Sequence, residues 1–222
     1  MEFDIHRLDS LDPDCDEMDT ILGDYVDELV ELFRDSPEGQ PLLEAVSDTG
    51  LWVDRFVYLL FQHCGYSVSN LEIDDLENVL IDVFPRKVTP SSPEDAEGVI
   101  PELIAFWEYL RREHNLPRCD SVLKYLHSLK PKYASIINDP SRFGPAKSFF
   151  LAGQAAGFDM TDERGMHAFM NLYNQSQLSQ EEVSQLGGGP NEPSGARKAP
   201  KDKKAKRKMA KAARRKNRKR RK

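Results

Sequence analysis

"TILGDYVDELVELF" (residues 20–33) sets the fold class of this chain. Its apolar side chains are Ile21, Leu22, Tyr25, Val26, Leu29, Val30 and Phe33. Pairs of apolar residues that recur every four positions form one stripe along an α-helix, and the acidic residues between them face water. The stretch therefore predicts an amphipathic helix that packs into a core, and "SPEG" (36–39) predicts its end.

Two similar apolar stripes follow along the chain. One covers residues 52–60 and ends near Gly65, and the next covers residues 76–84. Because proline lacks an amide proton and fixes its own backbone, Pro85 predicts the end of the second helix.

A longer helix is expected from about Pro93 to Glu113, with Ser92 as its cap and Trp107 on its buried face. Pro101 lies inside this span. Its position predicts either a kink or a helix that restarts near Ile100.

The next helix is expected from about Asp120 to Leu129, stopping before Pro131. After it, Phe149 and Phe150 face inward, and Thr161 is expected to cap a last helix that carries Met166, Phe169, Met170 and Tyr173. No stretch alternates with the period of two that a half-buried strand requires. The chain is therefore predicted to be all-α, with about seven to nine helices.

Charge is divided sharply along the chain. Residues 197–222 hold 17 Lys/Arg and one Asp, a net charge of +16, so the other 14 basic and 36 acidic residues give −22. Residues 1–50 alone hold 16 Asp/Glu against Arg7 and Arg34. Such asymmetry is typical of an electrostatic interaction element, although a solvated helix face also explains the acidic residues.

Composition predicts three segments. Residues 1–175 are expected to form the acidic all-helical domain, because every apolar stripe lies there. Residues 176–200 are rich in Gly, Pro, Ser and Gln, which predicts a flexible linker. Residues 201–222 are expected to be a disordered Lys/Arg-rich tail.

The tail, "KDKKAKRKMAKAARRKNRKRRK", is the segment that indicates a function. The predicted nucleic-acid-binding residues are Lys203, Lys204, Lys206, Arg207, Lys208, Lys211, Arg214, Arg215, Lys216, Arg218, Lys219, Arg220, Arg221 and Lys222. Lys and Arg neutralise phosphates and release counterions from RNA or DNA. No aromatic residue interrupts the charges, so base stacking and sequence readout are not expected. A nuclear address signal, an anionic-membrane anchor and a solubility device are the alternatives.

Other sites have little support. Cys15, Cys64 and Cys119 are far apart, which suits a reducing compartment and predicts no disulfide framework. His63 with Cys64, and His114 with Cys119, do not match the spacing of zinc ligands. No nucleophile, phosphate-loop or dinucleotide motif is present, so no catalytic residue, cofactor or metal is predicted.

The acidic N-terminus predicts no signal peptide, and no apolar run is long enough to cross a bilayer. A cytoplasmic protein is therefore expected, or a nuclear one in a eukaryote, with no membrane insertion.

Two stretches carry a resemblance to known proteins. They are "VFPRKVTPSSPEDAEGVIPELIAFWEYLRREHNLP" (83–117) and "GPAKSFFLAGQAAGFDMTDERGMHAFMNLYN" (144–174). With them, the chain resembles a group of bacterial, largely cyanobacterial, helical proteins. The resemblance implies a bacterial protein and a shared helical fold, and it transfers no functional residue. Arg86, Lys87, Arg111 and Arg112 lie in the first stretch and are candidates to extend the phosphate track, although helix-end dipoles explain the last two equally well.

Two hypotheses follow from these patterns. In the first, the protein is a non-enzymatic nucleic-acid- or ribosome-associated protein whose tail binds phosphate and whose acidic body meets a protein partner. In the second, it is a protein-interaction or regulatory module whose tail binds an acidic partner or its own acidic N-terminal region.

Overall fold

A computed structural model describes residues 3–11, 16–90, 92 and 95–186, with side chains as far as residue 175. In chain order the α-helices are α1 (Met18–Arg34), α2 (Gln40–Ala45), α3 (Leu51–Cys64), α4 (Ile73–Glu77), α5 (Phe84–Lys87), α6 (Val99–His114), α7 (Cys119–Ile137), α8 (Pro145–Ala155) and α9 (Glu163–Leu186). The described residues contain no strand, which confirms the all-α prediction.

The chain divides into an N-terminal unit, Met1–Ser148, and a C-terminal unit, Phe149–Lys222. Composition placed the boundary at residue 175, where the linker was expected to begin. The observed boundary falls inside α8 because the two ends of this helix have different partners. Lys147 Nζ donates to the Ile137 carbonyl in the N-terminal unit, at 2.9 Å, while the Phe149 ring contacts Phe169 in the C-terminal unit.

The core of the N-terminal unit is formed by the apolar stripes that the sequence shows. Helix α1 buries Leu22, Tyr25, Val26, Leu29 and Phe33. Helix α3 packs against α1 and α6, and α6 packs along α7. The Phe33 ring lies edge-on to Phe106 of α6, with 5.6 Å between ring centroids. Trp107 is buried, as predicted.

Helix α6 begins where Pro101 permits. A short 3₁₀ turn, Asp95–Gly98, precedes it, and Ser92 and Asp95 bond each other's backbone amides. Helix α6 then starts at Val99, so Pro101 occupies its first turn, where a missing amide costs nothing. The predicted restart near Ile100 is confirmed.

Pro85 does not end its helix. A π-helical segment, Asn78–Val83, joins α4 to α5 without a break. A proline in an α-helix clashes with the carbonyl four residues earlier, which here belongs to Ile81. The wider π turn avoids this clash. The Ile81 carbonyl accepts instead from Arg142 Nη1, at 3.2 Å.

Pro131 also fails to end its helix, because α7 runs through it to Ile137. Tyr133 and Ile137 are buried beyond it, so their burial favours continuing the helix. Pro131 itself is exposed, and only its one helical hydrogen bond is lost.

The C-terminal unit contains an aromatic cluster. The Phe169 ring lies 4.9 Å from that of Phe149 and 5.5 Å from that of Phe158. Asp162, rather than Thr161, caps α9, since its Oδ2 accepts from the amide of Arg164 at 3.1 Å. The Thr161 hydroxyl donates to Asp159 instead.

Helix α9 is described as far as Leu186, which lies within the segment that composition predicted to be a linker. The rest of the predicted linker lies outside the described residues.

Candidate nucleic-acid interface

The predicted interface is only partly within the described structure. All fourteen tail residues named as phosphate ligands, between residues 203 and 222, lie outside the described residues. Four further basic residues lie inside them: Arg86, Lys87, Arg111 and Arg112.

Arg111 and Arg112 are engaged by carboxylates of the same chain. Arg112 Nε and Nη2 donate to the two carboxylate oxygens of Glu38, at 2.7 and 3.0 Å, and Nη1 donates to Glu113 at 2.7 Å. This forked hydrogen bond lowers the pKa of Glu38. Arg111 lies 3.3 Å from Asp120. Because both guanidinium groups already have anionic partners, a phosphate would have to compete with those carboxylates for them.

Arg86 and Lys87 are different. Both are exposed in α5, and among the residues that the structure describes neither has a carboxylate within ion-pair distance. The end of α5 is fixed by its backbone, because the Arg86 carbonyl accepts from the amide of Gly144 at 3.1 Å. A Cβ at Gly144 would lie 2.6 Å from this oxygen, so only glycine permits the contact.

Sequence reasoning missed a second group of exposed cations: Lys124, Lys130 and Lys132 of α7, which form no ion pair within the described part of the chain. Their signal was local composition. Residues 121–148 hold five Lys/Arg and a single acid, Asp139, inside a body of net charge −22. Counting charge over the whole body concealed this segment.

Lys147 belongs to the same segment but is buried. Its ammonium lies 4.0 Å from the centre of the Phe143 ring and donates to the carbonyl that ends α7. Burial lowers the pKa of Lys147 to about 8. This amine therefore stabilises a helix end and does not face an external ligand.

The outward face of α1 is acidic, in contrast to the exposed lysines of α7. Asp24, Asp27 and Glu31 are exposed at helical spacing, and no basic side chain of the described residues lies within ion-pair distance of them. This face repels a polyanion and attracts a cationic partner.

One polar cluster contains an Asp, a His and a Ser, which are the residue types of a hydrolase catalytic triad. Their contacts do not follow the order that catalysis requires. The Asp9 carboxylate accepts from the Ser67 hydroxyl and from Asn70 at 2.9 Å, and its other oxygen lies 2.9 Å from His6 Nδ1. Nucleophile activation requires the imidazole to contact the hydroxyl. Here the carboxylate lies between them, so the cluster ties the N-terminal segment to the turn at Ser67. Burial acts to raise the pKa of Asp9, but hydrogen bonds from Ser67, Ser69 and His6 outweigh it and lower this pKa.

The histidine and cysteine pairs show no metal geometry. Across the described ranges, no three His, Cys, Asp or Glu residues converge as metal ligands. Cys64 and Cys119 are buried, and burial raises the pKa of the Cys119 thiol, which makes it less reactive.

Comparison with protein-family models, with curated proteins and with solved structures finds no match. The resemblance to cyanobacterial proteins therefore stays a prediction. No helix in the described part of the chain has the length and apolar character that a bilayer crossing requires.

Proposed function

We propose that this protein is a non-enzymatic nucleic-acid- or ribosome-associated protein whose basic tail binds the phosphate backbone without sequence specificity. One observation carries the proposal: a net charge of +16 over residues 197–222 is attached to a body of −22. A folded domain that needed only solubility would gain nothing from a terminal block of opposite sign, whereas phosphate binding requires one.

The tail chemistry favours backbone contact. Arginine offers two parallel N–H donors to phosphate, and five arginines lie between residues 214 and 221. The absence of aromatic residues from the tail removes base stacking, so affinity depends on charge.

Ionic strength tests the proposal directly. If about eight of the tail cations contact phosphates together, log affinity falls with log salt at a slope of about −7 for duplex DNA and about −6 for a single strand. We would measure binding of the full chain to a short duplex and to a single-stranded RNA at several salt concentrations.

The decisive variant replaces Arg214, Arg215, Arg218, Arg220 and Arg221 with Gln. Each lost contact flattens the duplex slope by about 0.9, so the expected slope is close to −3. A wild-type slope near zero, or unchanged affinity in this variant, shows that the tail does not bind phosphate.

The second candidate function is a protein-interaction or regulatory module whose tail binds an acidic partner or its own acidic N-terminal region. The exposed, unpaired Asp24, Asp27 and Glu31 of α1 favour it. Replacing these three residues with amides should then weaken chemical crosslinks between tail lysines and residues 16–48. If the crosslinks persist unchanged, contact with this acidic region is ruled out.

A further inference from the structure

Exposed apolar side chains are concentrated on helix α9. Among the described residues seven large apolar side chains are exposed, and four of them lie within eight positions of α9: Met166, Met170, Leu172 and Tyr173. The spacing of Met166, Met170 and Tyr173 places these three on one side of the helix, within about 60° of each other around its axis. Each is between 39 and 42% exposed. We call these three residues the α9 stripe.

Ring contacts fix the direction in which the stripe faces. Phe169 of α9 is buried, and its ring lies 4.9 Å from that of Phe149 and 5.5 Å from that of Phe158. Tyr173 lies beside it, with 5.5 Å between its ring and that of Phe149. Met166 and Met170 lie about 60° and 100° around the axis from Phe169. The stripe therefore borders the aromatic cluster, and its two methionines face solvent.

The C-terminal unit covers little of its own apolar surface. Among residues 149–175, whose side chains are described, Gly153, Met160 and Phe169 are buried. Four more apolar residues are only half-buried: Phe149, Phe150, Leu151 and Phe158. A helix with an apolar face normally packs that face against a second layer of structure. These helices therefore present apolar surface that another layer can cover.

The stripe also lies in a region without charge. Residues 148–158 and 165–180 contain no Asp, Glu, Lys or Arg, although 31% of the chain is charged. The charged residues in the first turn of α9, Glu163 and Arg164, are opposite in sign, and Glu163 lies 3.7 Å from His167. Exposed helix faces are normally charged. Depletion of charge together with Met and aromatic residues is typical of the centre of a protein interface.

The same composition disfavours other kinds of partner. A phosphate backbone requires cations, and a helix that lies on a membrane carries Lys and Arg on its polar face. Residues 165–180 offer neither Lys nor Arg. The chemistry of the stripe therefore fits another protein surface that is apolar and uncharged.

We propose that the α9 stripe is the contact surface of a homodimer, in which it packs against the stripe of a second copy of this chain. A two-fold interface sets one patch against the same patch, so a charged surface repels its copy and an uncharged one does not. The pairing supplies the second layer that the C-terminal unit lacks. This inference goes beyond the proposed function and does not depend on the tail.

The exposed area indicates the strength of this dimer. At about 200 Å² for a whole large side chain, the three residues expose roughly 250 Å² per chain. One partner of a standard interface buries about 800 Å², of which the apolar centre is a part and the polar rim the rest. The stripe therefore has the size of the centre of a small interface. A dimer with a dissociation constant on the order of micromolar is expected.

The test uses three variants of the full chain. The stripe variant carries Met166→Lys and Met170→Lys. The matched control carries Ala168→Lys and Asn171→Lys, which change the net charge equally at exposed positions on the opposite side of α9. The conservative variant carries Met166→Leu and Met170→Leu. Sedimentation equilibrium gives the mass of each protein from about 1 to 300 µM, in about 0.15 and 1 M salt, and circular dichroism checks folding.

We expect the wild-type mass to rise with concentration towards twice the 25.3 kDa of one chain. The dimer should persist in high salt, because apolar contacts are not screened. The stripe variant should weaken dimerisation by about thirtyfold or more, because it places like charges in an apolar contact. The matched control and the conservative variant should each change the dissociation constant by less than about threefold.

Methionine oxidation tests the contact without a substitution. With excess hydrogen peroxide, Met166 and Met170 of the wild type should be oxidised about fivefold more slowly at the highest protein concentration than at the lowest. Mass spectrometry reads each residue, and free methionine is the reference for the peroxide. If the stripe variant loses helical content, this measurement decides in its place, and equal oxidation rates at the two concentrations overturn the proposal.

The remaining outcomes identify other occupants of the stripe. A wild-type chain that stays monomeric at every concentration overturns the homodimer, and slow oxidation of its methionines then shows that its own chain covers the stripe. A dimer that dissociates in high salt and that both lysine variants weaken equally is held by charge, which also overturns the proposal. Neither result bears on phosphate binding by the tail, because the salt slope of nucleic-acid affinity measures that separately.

Discussion

Helices α1 and α7 have similar buried faces and opposite outward faces. Helix α1 buries five apolar residues and exposes Asp24, Asp27 and Glu31, whereas α7 buries seven residues and exposes Lys124, Lys130 and Lys132. The core does not distinguish them, because burial depends on apolar area and not on the sign of charge across the helix. The two helices therefore differ in the charge of their solvent-exposed faces, which are the faces that a partner can contact.

The largest expected effect tests whether the two helices depend on one core. Trp107 of α6 is buried, and its neighbour Phe106 contacts Phe33 of α1 while α6 packs along α7. We expect Trp107→Ala to lower the free energy of unfolding by about 3–5 kcal/mol, because it leaves a large cavity. Urea unfolding followed by circular dichroism measures this. A loss below about 1 kcal/mol would mean that α1 and α7 are stabilised separately.

The next effect concerns α3, which links α1 to α6. Glu102 Oε1 accepts from the amides of Trp52 and Val53, at 2.8 and 3.0 Å, and so caps α3 from a different helix. Glu102→Ala should cost about 2–3 kcal/mol, because buried amides lose their acceptor. Glu102→Gln keeps an acceptor oxygen and should cost less than about 1 kcal/mol. Equal losses in both variants would show that charge, and not capping, is what matters at this site.

A pH measurement compares the ends of the two helices, since only α7 ends on a buried ammonium. The pKa of Lys147 is lowered to about 8 in the folded protein. Between pH 8 and the ordinary pKa of lysine, the unfolded chain therefore binds more protons than the folded protein does. The stability of the wild type should therefore rise relative to Lys147→Met as the pH increases from about 7.5 to 9.5, by about 1–2 kcal/mol. Parallel stability curves for the two proteins would contradict the lowered pKa.

Replacing a buried tyrosine of α1 or of α7 with phenylalanine should have a smaller effect on stability. The Tyr25 hydroxyl of α1 donates to the Ile5 carbonyl at 3.1 Å, whereas the buried Tyr133 hydroxyl of α7 has no hydrogen-bond partner among the described residues. Tyr25→Phe should cost about 1 kcal/mol, and Tyr133→Phe should be neutral or slightly stabilising, because it removes an unsatisfied polar group. Thermal unfolding of both variants checks this, and a cost for Tyr133→Phe similar to that for Tyr25→Phe would reveal a bound water at that hydroxyl.

The smallest effects on stability are expected for charged residues on the outward faces of α1 and α7. Asp27→Asn and Lys130→Gln should each change the free energy of unfolding by less than about 0.5 kcal/mol, because both side chains are exposed and unpaired. Their effects on DNA affinity at low salt should be opposite, with Asp27→Asn raising it and Lys130→Gln lowering it. Equal effects on affinity would break the comparison between α1 and α7.

Local sequence patterns predicted which segments are helical better than they predicted where each helix ends. The α1 stripe, the end of α3 near Gly65 and the restart of α6 followed from periodicity and proline chemistry alone. Pro85 and Pro131 were misread because the cost of a helical proline depends on its surroundings. Arg142 satisfies the carbonyl that Pro85 displaces, and burial of Tyr133 and Ile137 outweighs the hydrogen bond lost at Pro131. The Arg142 contact joins residues 61 positions apart, and the burial of Tyr133 and Ile137 is settled only when α7 packs into the core.

The candidate interface, like the helix ends, could be predicted from the sequence only in part. Charge counting found the tail and Arg86 and Lys87, but it also selected Arg111 and Arg112, whose carboxylate partners were not predicted. Glu38 lies 74 positions from Arg112. The exposed Lys124, Lys130 and Lys132 of α7 were missed because a cation without an ion pair can be recognised only once its potential partners have positions.

The sequence by itself determined that this chain is helical, which side of each main helix is buried, and that its charge is separated into an acidic body and a basic end. These properties depend on the periodicity and composition of neighbouring residues. Only the tertiary structure decided which arginines are paired with carboxylates, how α3 is capped by Glu102, and which lysines of α7 are left exposed. Each of these depends on groups far apart in sequence, whose distance is fixed only when the core forms.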